Sequence, residues 1–238
     1  MISLFLPVYN EEGILENNVR KVYNSLKNIK ERFEIFIIDD SSSDRTSEVG
    51  ERLSKIKDIK YLKYNNGPSR RENLAVSFRK ARGDTIVFMD TDLAVDLGAL
   101  PNLVKNVHKY DIVIGSRYVK GAEVKRTYFR LLLSKFYNAF VRIYFGSRIK
   151  DHQCGFKAFK KKVILTIARK LGYDKSFRRG WFWDAEMLIL AQKIGYKVLE
   201  IPIKWRYGEK STFNLKRELK MLFYIFGVKK KLKTELKR

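Results

Sequence analysis

Thr85-Ile86-Val87-Phe88-Met89-Asp90-Thr91-Asp92 is an apolar, β-rich run closed by two carboxylates one residue apart. On an extended backbone residues i and i+2 project to the same face, so both carboxylates can reach one divalent cation. Magnesium and manganese take oxygen ligands and leave positions open for substrate phosphates. An isolated Asp-x-Asp fits the start of an ordinary turn equally well, so the surrounding chain decides the reading.

Working outward, short β-rich runs recur at Ile2 to Leu6, Glu34 to Asp39, Ile59 to Lys63, Thr85 to Asp90 and Asp111 to Gly115. Between them Glu11 to Lys30, Asp44 to Ile56, Ser69 to Arg82 and Leu100 to Lys109 read as helices with charges on one face. Alternation at this spacing predicts an α/β fold, a mostly parallel central sheet flanked by helices. Such sheets bind ligands beyond the carboxyl ends of their strands. The polar clusters sit there: Pro7 to Glu11, Asp39 to Asp44, Asp90 to Asp92, and Gly115 to Arg117.

The second half is less regular. Thr127 to Phe145 reads as a helix, Lys150 to Phe159 as a turn-rich stretch, and Lys162 to Leu171 and Asp184 to Ile194 as helices. A strand is expected at Lys197 to Ile203. From Asn214 onward the pattern is helical, with Leu215, Leu219, Leu222 and Phe226 on one face among many lysines. The division is one domain over 1–212 and a basic amphipathic C-terminal helix over 213–238.

Composition narrows the partners. The 238 residues are 45% hydrophobic, enough to bury a core, and the lone Cys154 with two histidines rules out a disulfide framework or a cysteine or histidine-rich metal cluster. Residues 1–110 hold 18 Lys/Arg and 16 Asp/Glu, whereas 111–238 hold 32 and 10, so nearly all of the +24 net charge lies in the second half. A basic half beside a neutral half implies an anionic partner: a phosphorylated ligand, a membrane surface or nucleic acid. Nucleic acid is the poor fit, because carboxylates at the strand ends would repel its phosphates unless a cation intervened. The longest apolar run, residues 131–145, contains Lys135 and Arg142 and falls short of the roughly 20 residues that span a bilayer. Membrane association is therefore expected to be interfacial, and the N-terminus shows no basic-then-apolar signal pattern.

Seven clusters in order resemble the family 2 inverting glycosyltransferases with the GT-A nucleotide-sugar fold, and within them the dolichyl-phosphate and polyprenyl-phosphate sugar synthases. They are Pro7-Val8-Tyr9-Asn10-Glu11, Asp39-Asp40 with Ser43-Asp44-Arg45-Thr46, Asp90-Thr91-Asp92, Gly115-Ser116-Arg117-Tyr118, Asp151-His152-Gln153-Cys154-Gly155-Phe156-Lys157, Trp183-Asp184-Ala185-Glu186, and Trp205-Arg206-Tyr207-Gly208-Glu209-Lys210-Ser211. The resemblance implies that Pro7, Tyr9, Asn10 and Glu11 wrap a nucleotide, with Asn10 equally able to cap a helix. It makes Asp39 or, more specifically, Asp40 a nucleobase acceptor, and Asp90, Thr91 and Asp92 the diphosphate region. Asp90 and Asp92 would hold Mg²⁺ or Mn²⁺, which neutralises the leaving phosphates. Ser43 reads as a helix N-cap.

Ala94 departs from the pattern, since mannosyl-type members often carry a polar residue there, so a third protein ligand is not expected. Ser116, Arg117 and Arg130 match positions that clamp the acceptor lipid's phosphate, a task suited to the planar fork of arginine. For Arg130 a solvated helix face is the competing reading. Arg206, Lys210 and Ser211 resemble a segment closing on the diphosphate. Asp184 and Glu186 fall where hydroxyl-acceptor members keep a general base. A phosphate monoester is already largely dianionic at pH 7, its second pKa being about 6, so sugar binding and ordering of the site suit this pair better.

The strings Gln-Cys-Gly-Phe-Lys and Asp-x-Glu resemble glucosyl-phosphate more than mannosyl-phosphate synthases, favouring UDP-glucose over GDP-mannose. The resemblance implies a peripheral enzyme of the cytoplasmic membrane face that acts on dolichyl or polyprenyl phosphate at an anionic membrane surface. A family 2 transferase acting on a saccharide hydroxyl is the nearest alternative. The Thr127 to Phe145 helix fits either an interfacial role or packing against the sheet.

Overall fold

The computed structural model describes residues 1–67, 71–125, 127–173, 179–180, 182–206, 221 and 224–229. The strands are β1 (Ile2–Val8), β2 (Phe33–Asp40), β3 (Ile59–Tyr64), β4 (Thr85–Met89), β5 (Ile112–Ser116), β6 (Glu123–Lys125), β7 (Phe156–Lys160), β8 (Val198–Pro202) and β9 (Lys204–Arg206). The helices are α1 (Leu15–Asn28), α2 (Thr46–Leu53), α3 (Arg71–Ser77), α4 (Leu100–Val107), α5 (Tyr128–Phe145), α6 (Lys161–Leu171) and α7 (Phe182–Ile194). Residues 221 and 224–229 are also helical; the rest of the expected C-terminal helix, with Lys210 and Ser211, lies outside the described residues.

Seven strands form one sheet in the order β3-β2-β1-β4-β7-β5-β8. The β1–β2, β1–β4, β2–β3 and β5–β8 pairs are parallel, and β7 runs antiparallel between β4 and β5. Near-continuous apolar runs are what a sheet covered on both faces requires. Alternate side chains supply the two cores. Phe5, Phe36, Phe88 and Ile114 face α3, α5, α6 and α7, while Leu4, Ile37, Val87 and Val113 face α1, α2 and α4. Phe5 stacks on Phe36 at 4.6 Å and meets the edge of Phe78 at 5.0 Å, which locks the first core.

β7 corrects the turn-rich reading of Lys150 to Phe159. Phe-Lys-Ala-Phe-Lys lacks an apolar run, and a strand lysine ordinarily marks a solvated face. Lys157 is instead fully buried in the middle of the sheet, its ammonium donating to Asp184 Oδ1 at 2.8 Å and to the Cys154 carbonyl. A tertiary partner, invisible to local patterning, makes the strand possible. β6 and β9 are three-residue strands paired with each other, and they too escaped the sequence reading.

Far from the carboxyl ends, Glu34 ties β1, β2, β3 and the approach to β4 together. Its fully buried carboxylate accepts from Ser3 Oγ (2.6 Å), Lys60 Nζ (2.7 Å), Arg82 Nε (3.0 Å) and the Arg82 amide (2.6 Å). Burial opposes the charge, but these donors win and bring its pKa down to about 2. A depressed carboxylate contributes stability that is fully present above the ordinary value near 4.5 and is lost as pH falls towards 2. Replacing Glu34 with Gln is expected to lower unfolding free energy at pH 7 by about 3 kcal/mol, the scale of a broken buried pair. Denaturant titrations at pH 7 and pH 3 check this, with the difference between variant and wild type shrinking at the lower pH.

Candidate active site

The turn after β4 sorts its side chains by burial. Thr91 points inward, its hydroxyl donating to the Pro7 carbonyl at 2.9 Å, while Asn18 Nδ2 donates to the Thr91 carbonyl at 2.9 Å. Thr91 is thus a peg that joins this turn to the loop after β1, rather than a ligand contact. With the middle residue pinned, Asp90 and Asp92 face outward. The Asp90 amide donates to the Gly155 carbonyl at 3.0 Å, and Asp92 Oδ1 accepts from the Ala94 amide at 3.0 Å.

β9 is laced onto the same turn. The Arg206 amide donates to the Ala94 carbonyl at 2.8 Å and the Asp96 amide to the Lys204 carbonyl at 2.9 Å, which brings Trp205 against Val95. Met89, Asp90, Asp92, Ala94, Val95, Gly155, Phe156 and Trp205 line a small, open cleft. Ala94 therefore serves through its backbone. Gly155 is required by close approach, because a Cβ there would lie 1.8 Å from Asp90 Oδ2.

The loops after β1 and β2 interlock. Asn10 donates its amide to Ser42 Oγ (3.0 Å) and accepts from the Ser43 amide (2.8 Å), and the Glu11 amide donates to Thr46 Oγ1 (2.8 Å). Asn10 and Ser41 both take positive φ, 53° and 65°, and these side-chain bonds hold the unusual backbone. Ser43 is not the helix cap: Arg45 occupies the N-cap of α2, and just before it Asp44 Oδ1 accepts from the Thr46 amide at 2.9 Å. Tyr9 is exposed beside this loop.

Asp39 and Asp40 separate clearly. Asp39 is fully buried and engaged by the Ser42 amide, Ser47 Oγ and Tyr61 Oη at 2.8, 3.1 and 2.5 Å. Burial, then the Asp39 bond, push the Tyr61 phenol far above its usual range. Asp40 turns to the other side and accepts from Asn73 Nδ2 at 2.9 Å.

A line of alternating charge crosses the sheet edge. Arg71 Nη2 meets Asp90 Oδ1 at 2.7 Å, Arg71 Nε lies 3.4 Å from Asp184 Oδ2, and Lys157 Nζ holds Asp184 Oδ1 at 2.8 Å. Burial works against the Arg71 charge, yet Asp90, Asp184 and Asp40 hold the guanidinium well above its ordinary range. At the open end, crowding by the protein and then by the Asp90 charge raises the Asp92 carboxyl. A site that forces two carboxylates together is relieved by a hard divalent cation, so this donor set suits Mg²⁺ or Mn²⁺. Among the described residues no group of three His, Cys, Asp or Glu side chains is placed to hold a metal.

Asp184 and Glu186 do not act together. Two residues apart on α7 they point to opposite helix faces. Glu186 faces the core, where Arg179 Nη1 approaches Oε2 at 3.2 Å and Tyr224 Oη at 3.4 Å. Arg179, itself fully buried, also donates from Nε to Glu72 Oε1 at 2.9 Å. Arg71, Glu72 and Asn73, the first turn of α3, therefore address Asp90, Arg179 and Asp40 in succession. The sequence reading singled out none of them, although three polar residues opening a helix after a strand end were a usable signal.

Arg117 also differs from expectation. Its Nε and Nη2 donate to the two oxygens of fully buried Asp151 at 2.7 and 2.8 Å, and its amide donates to Oδ2 at 3.0 Å. Burial opposes the Asp151 charge, but Arg117 holds it below the usual carboxylate range. The guanidinium stacks behind the pocket on Trp205 at 5.7 Å. Ser116 is fully buried, its hydroxyl accepting from the Tyr118 amide at 3.3 Å. Arg130 is half-buried in the first turn of α5, and Arg206 is exposed at the end of β9. His152 and Cys154 are internal: burial takes the imidazole down to about 4 and the thiol up to about 12.

The outer face of α5 is apolar and open. Tyr128 (80% exposed), Phe129 (68%), Phe136 (74%) and Ile143 (86%) lie on it with Leu132 and Leu133. At the far end Phe140, Tyr144 and Phe226 pack together, with Lys229 over the Tyr144 ring at 4.4 Å. No helix among the described residues is long and apolar enough to cross a membrane.

A mostly parallel sheet with outward carboxylates at one strand end and interlocked loops beside them is the architecture of the GT-A nucleotide-sugar transferases. The solved structure of glucosyl-3-phosphoglycerate synthase from Mycobacterium tuberculosis with Mn²⁺, UDP and phosphoglyceric acid superposes with a TM-score of 0.65 at 16% identity, covering 99% of this chain and 78% of that one. Mannosyltransferase PcManGT from Pyrobaculum calidifontis, with GDP-Man and Mn²⁺, gives 0.63 at 18% identity, covering 95% and 63%. The sequence profile of Glycosyl transferase family 2 matches residues 3–167, and the chain belongs to that family.

Among curated relatives, glycosyltransferase AglD of Haloferax volcanii is 35% identical over 92% of this chain. A dolichol-phosphate mannosyltransferase of Pyrococcus furiosus is 34% identical over 87%, and dolichyl-phosphate beta-glucosyltransferase ALG5A of Trichomonas vaginalis 29% over 92%. The chain spans 35%, 54% and 70% of these three proteins respectively.

Removing the Arg117 side chain leaves Asp151 buried without its partner, so Arg117→Ala is expected to cost about 3 kcal/mol or more of stability. Gly155→Ala is expected to displace Asp90 and weaken Mn²⁺ binding at least tenfold with little change in melting temperature. Thermal melts and metal titrations on the two variants separate these effects.

Proposed function

We propose that the chain transfers a hexose from a nucleotide sugar, UDP-glucose favoured, to the phosphate of a dolichyl or polyprenyl phosphate, with inversion at the anomeric carbon. The outward pair Asp90 and Asp92 beside a strongly basic, apolar-surfaced half is the observation that carries this reading. A phosphate oxygen of the acceptor attacks the anomeric carbon as the bond from that carbon to the nucleotide diphosphate breaks. A divalent cation on Asp90 and Asp92 would neutralise the departing diphosphate. Tyr9 offers a stacking face for the base, and Asp40 an acceptor beside Asn73.

Asp184 supports a phosphate acceptor. With Lys157 on one oxygen and Arg71 on the other, its carboxylate is occupied in ordering the cations of the site. An acceptor that arrives already ionised needs no base. Arg130 is the residue we assign to the acceptor phosphate, with Arg117 supporting the wall behind Trp205. Arg206, with Lys210 and Ser211, would close over the diphosphate.

The apolar stripe of α5 and the basic C-terminal half fit an anionic membrane surface on the cytoplasmic side. Each basic residue near such a surface contributes roughly 1 kcal/mol. The Pyrococcus furiosus relative supports a second reading with GDP-mannose as donor.

Radiolabelled UDP-glucose, UDP-GlcNAc and GDP-mannose, each offered with dolichyl phosphate, test the assignment. Labelled lipid is expected from UDP-glucose, with Asp92→Ala inactive and Arg130→Ala reduced at least tenfold while UDP binding is retained. Label appearing in no lipid, or unchanged transfer by Arg130→Ala, contradicts the acceptor assignment.

A further inference from the structure

We propose that Arg71 is the resident counter-cation of the donor site, holding Asp90 until a divalent cation and a nucleotide diphosphate arrive together. The inference rests on the reading that Asp90 and Asp92 hold the metal. Arg71 opens α3, and its guanidinium bridges Asp90 Oδ1 (2.7 Å) and Asp184 Oδ2 (3.4 Å) while lying 5.9 Å from the Phe88 ring. Its side chain is 19% exposed and its Asp184 partner is buried, whereas Asp90 is 44% exposed and open to solvent. One oxygen of a metal-binding carboxylate is thus already engaged by a positive charge belonging to the protein.

Charge balance gives the arrangement a direction. Among the described residues Asp90, Asp92 and Asp184 lie against Arg71 and Lys157, so the carboxylate pair at the open end is only partly neutralised by the protein and leaves room for a divalent cation. Lys157 has no freedom to adjust, being fully buried on Asp184 and the Cys154 carbonyl. The backbone around Arg71 is also fixed, since Glu72 is paired with Arg179 and Asn73 with Asp40. Among the described residues, the Arg71 side chain is the cation placed to respond.

As Asp90 turns its charge to a cation, Arg71 loses its best partner, and the incoming diphosphate supplies another by charge-assisted hydrogen bonds. Metal alone meets a competing guanidinium, whereas metal with nucleotide gives that guanidinium somewhere to go. The two ligands therefore strengthen each other's binding, reciprocally. Arg71 acts as a positioning residue that links occupancy of Asp90 to Asp184.

Titrating Mn²⁺ into the purified chain without nucleotide, with free Mn²⁺ read by electron paramagnetic resonance, tests this directly. Arg71→Gln, which keeps a hydrogen bond but removes the charge beside Asp90, is expected to bind Mn²⁺ about tenfold tighter, a modest effect for the loss of one nearby unit charge. Saturating UDP should then improve Mn²⁺ affinity less in Arg71→Gln than in wild type, and Arg71→Lys should behave as wild type. Arg71→Met provides a second neutral side chain if Arg71→Gln does not fold. Equal or weaker Mn²⁺ binding by the neutral variants overturns the inference.

Asp92→Ala separates the two layers. If it loses Mn²⁺ while the neutral Arg71 variants gain nothing, only the role of Arg71 falls. If it binds Mn²⁺ as wild type does, the metal reading fails and the inference falls with it.

Discussion

The buried pairing of Lys157 with Asp184 is the contact on which the site depends. It seats a lysine in the middle of a sheet and so allows β7 to run antiparallel between β4 and β5. That insertion places Gly155 against Asp90 and sets the outer wall of the pocket. Once Asp184 is fixed by Lys157, Arg71 can bridge it to Asp90, and the alternation of charge runs out to Asp92. Breaking such a pair from one side leaves an uncompensated charge in a dry interior. The same geometry thus orders the core and aims the outward carboxylates.

The parallel half of the fold was legible because its signals are local. β1, β2, β3, β4 and β5 follow their apolar runs to within a residue or two, and the polar clusters lie at the strand ends where the pattern put them. What escaped depends on partners distant in sequence. β7 looked like a turn because Lys157 reads as solvated until Asp184, 27 residues away, is brought beside it. Arg117 read as a free phosphate clamp because nothing local reveals Asp151 as its bidentate partner. Thr91 and Asp39 were assigned to ligand contact by motif, whereas their hydrogen bonds turn them inward. Asp184 and Glu186 were grouped by motif, but two residues apart on the expected helix they face opposite sides.

Two surfaces complete the functional picture. The edge holding Asp90, Asp92, Asp40 and Tyr9 suits a nucleotide sugar, and the α5 stripe with its basic surroundings suits the headgroup region of a lipid acceptor. The core network of Glu72, Arg179, Glu186 and Tyr224 ties α3 to the C-terminal helical segment at 224–229. The elements nearest the two surfaces therefore share one set of buried charges. The proposed acceptor, which brings its own ionised oxygen, is compatible with Asp184 being held between Lys157 and Arg71.

Crystals grown with Mn²⁺ and UDP, measured at the manganese absorption edge, would locate the metal. One anomalous peak is expected within coordination distance of both Asp90 and Asp92, with UDP seated across the ends of β1, β2 and β4. A manganese peak bound at Asp184 or Glu186 instead, or UDP bound with no manganese at the Asp90 and Asp92 carboxylates, would contradict that placement.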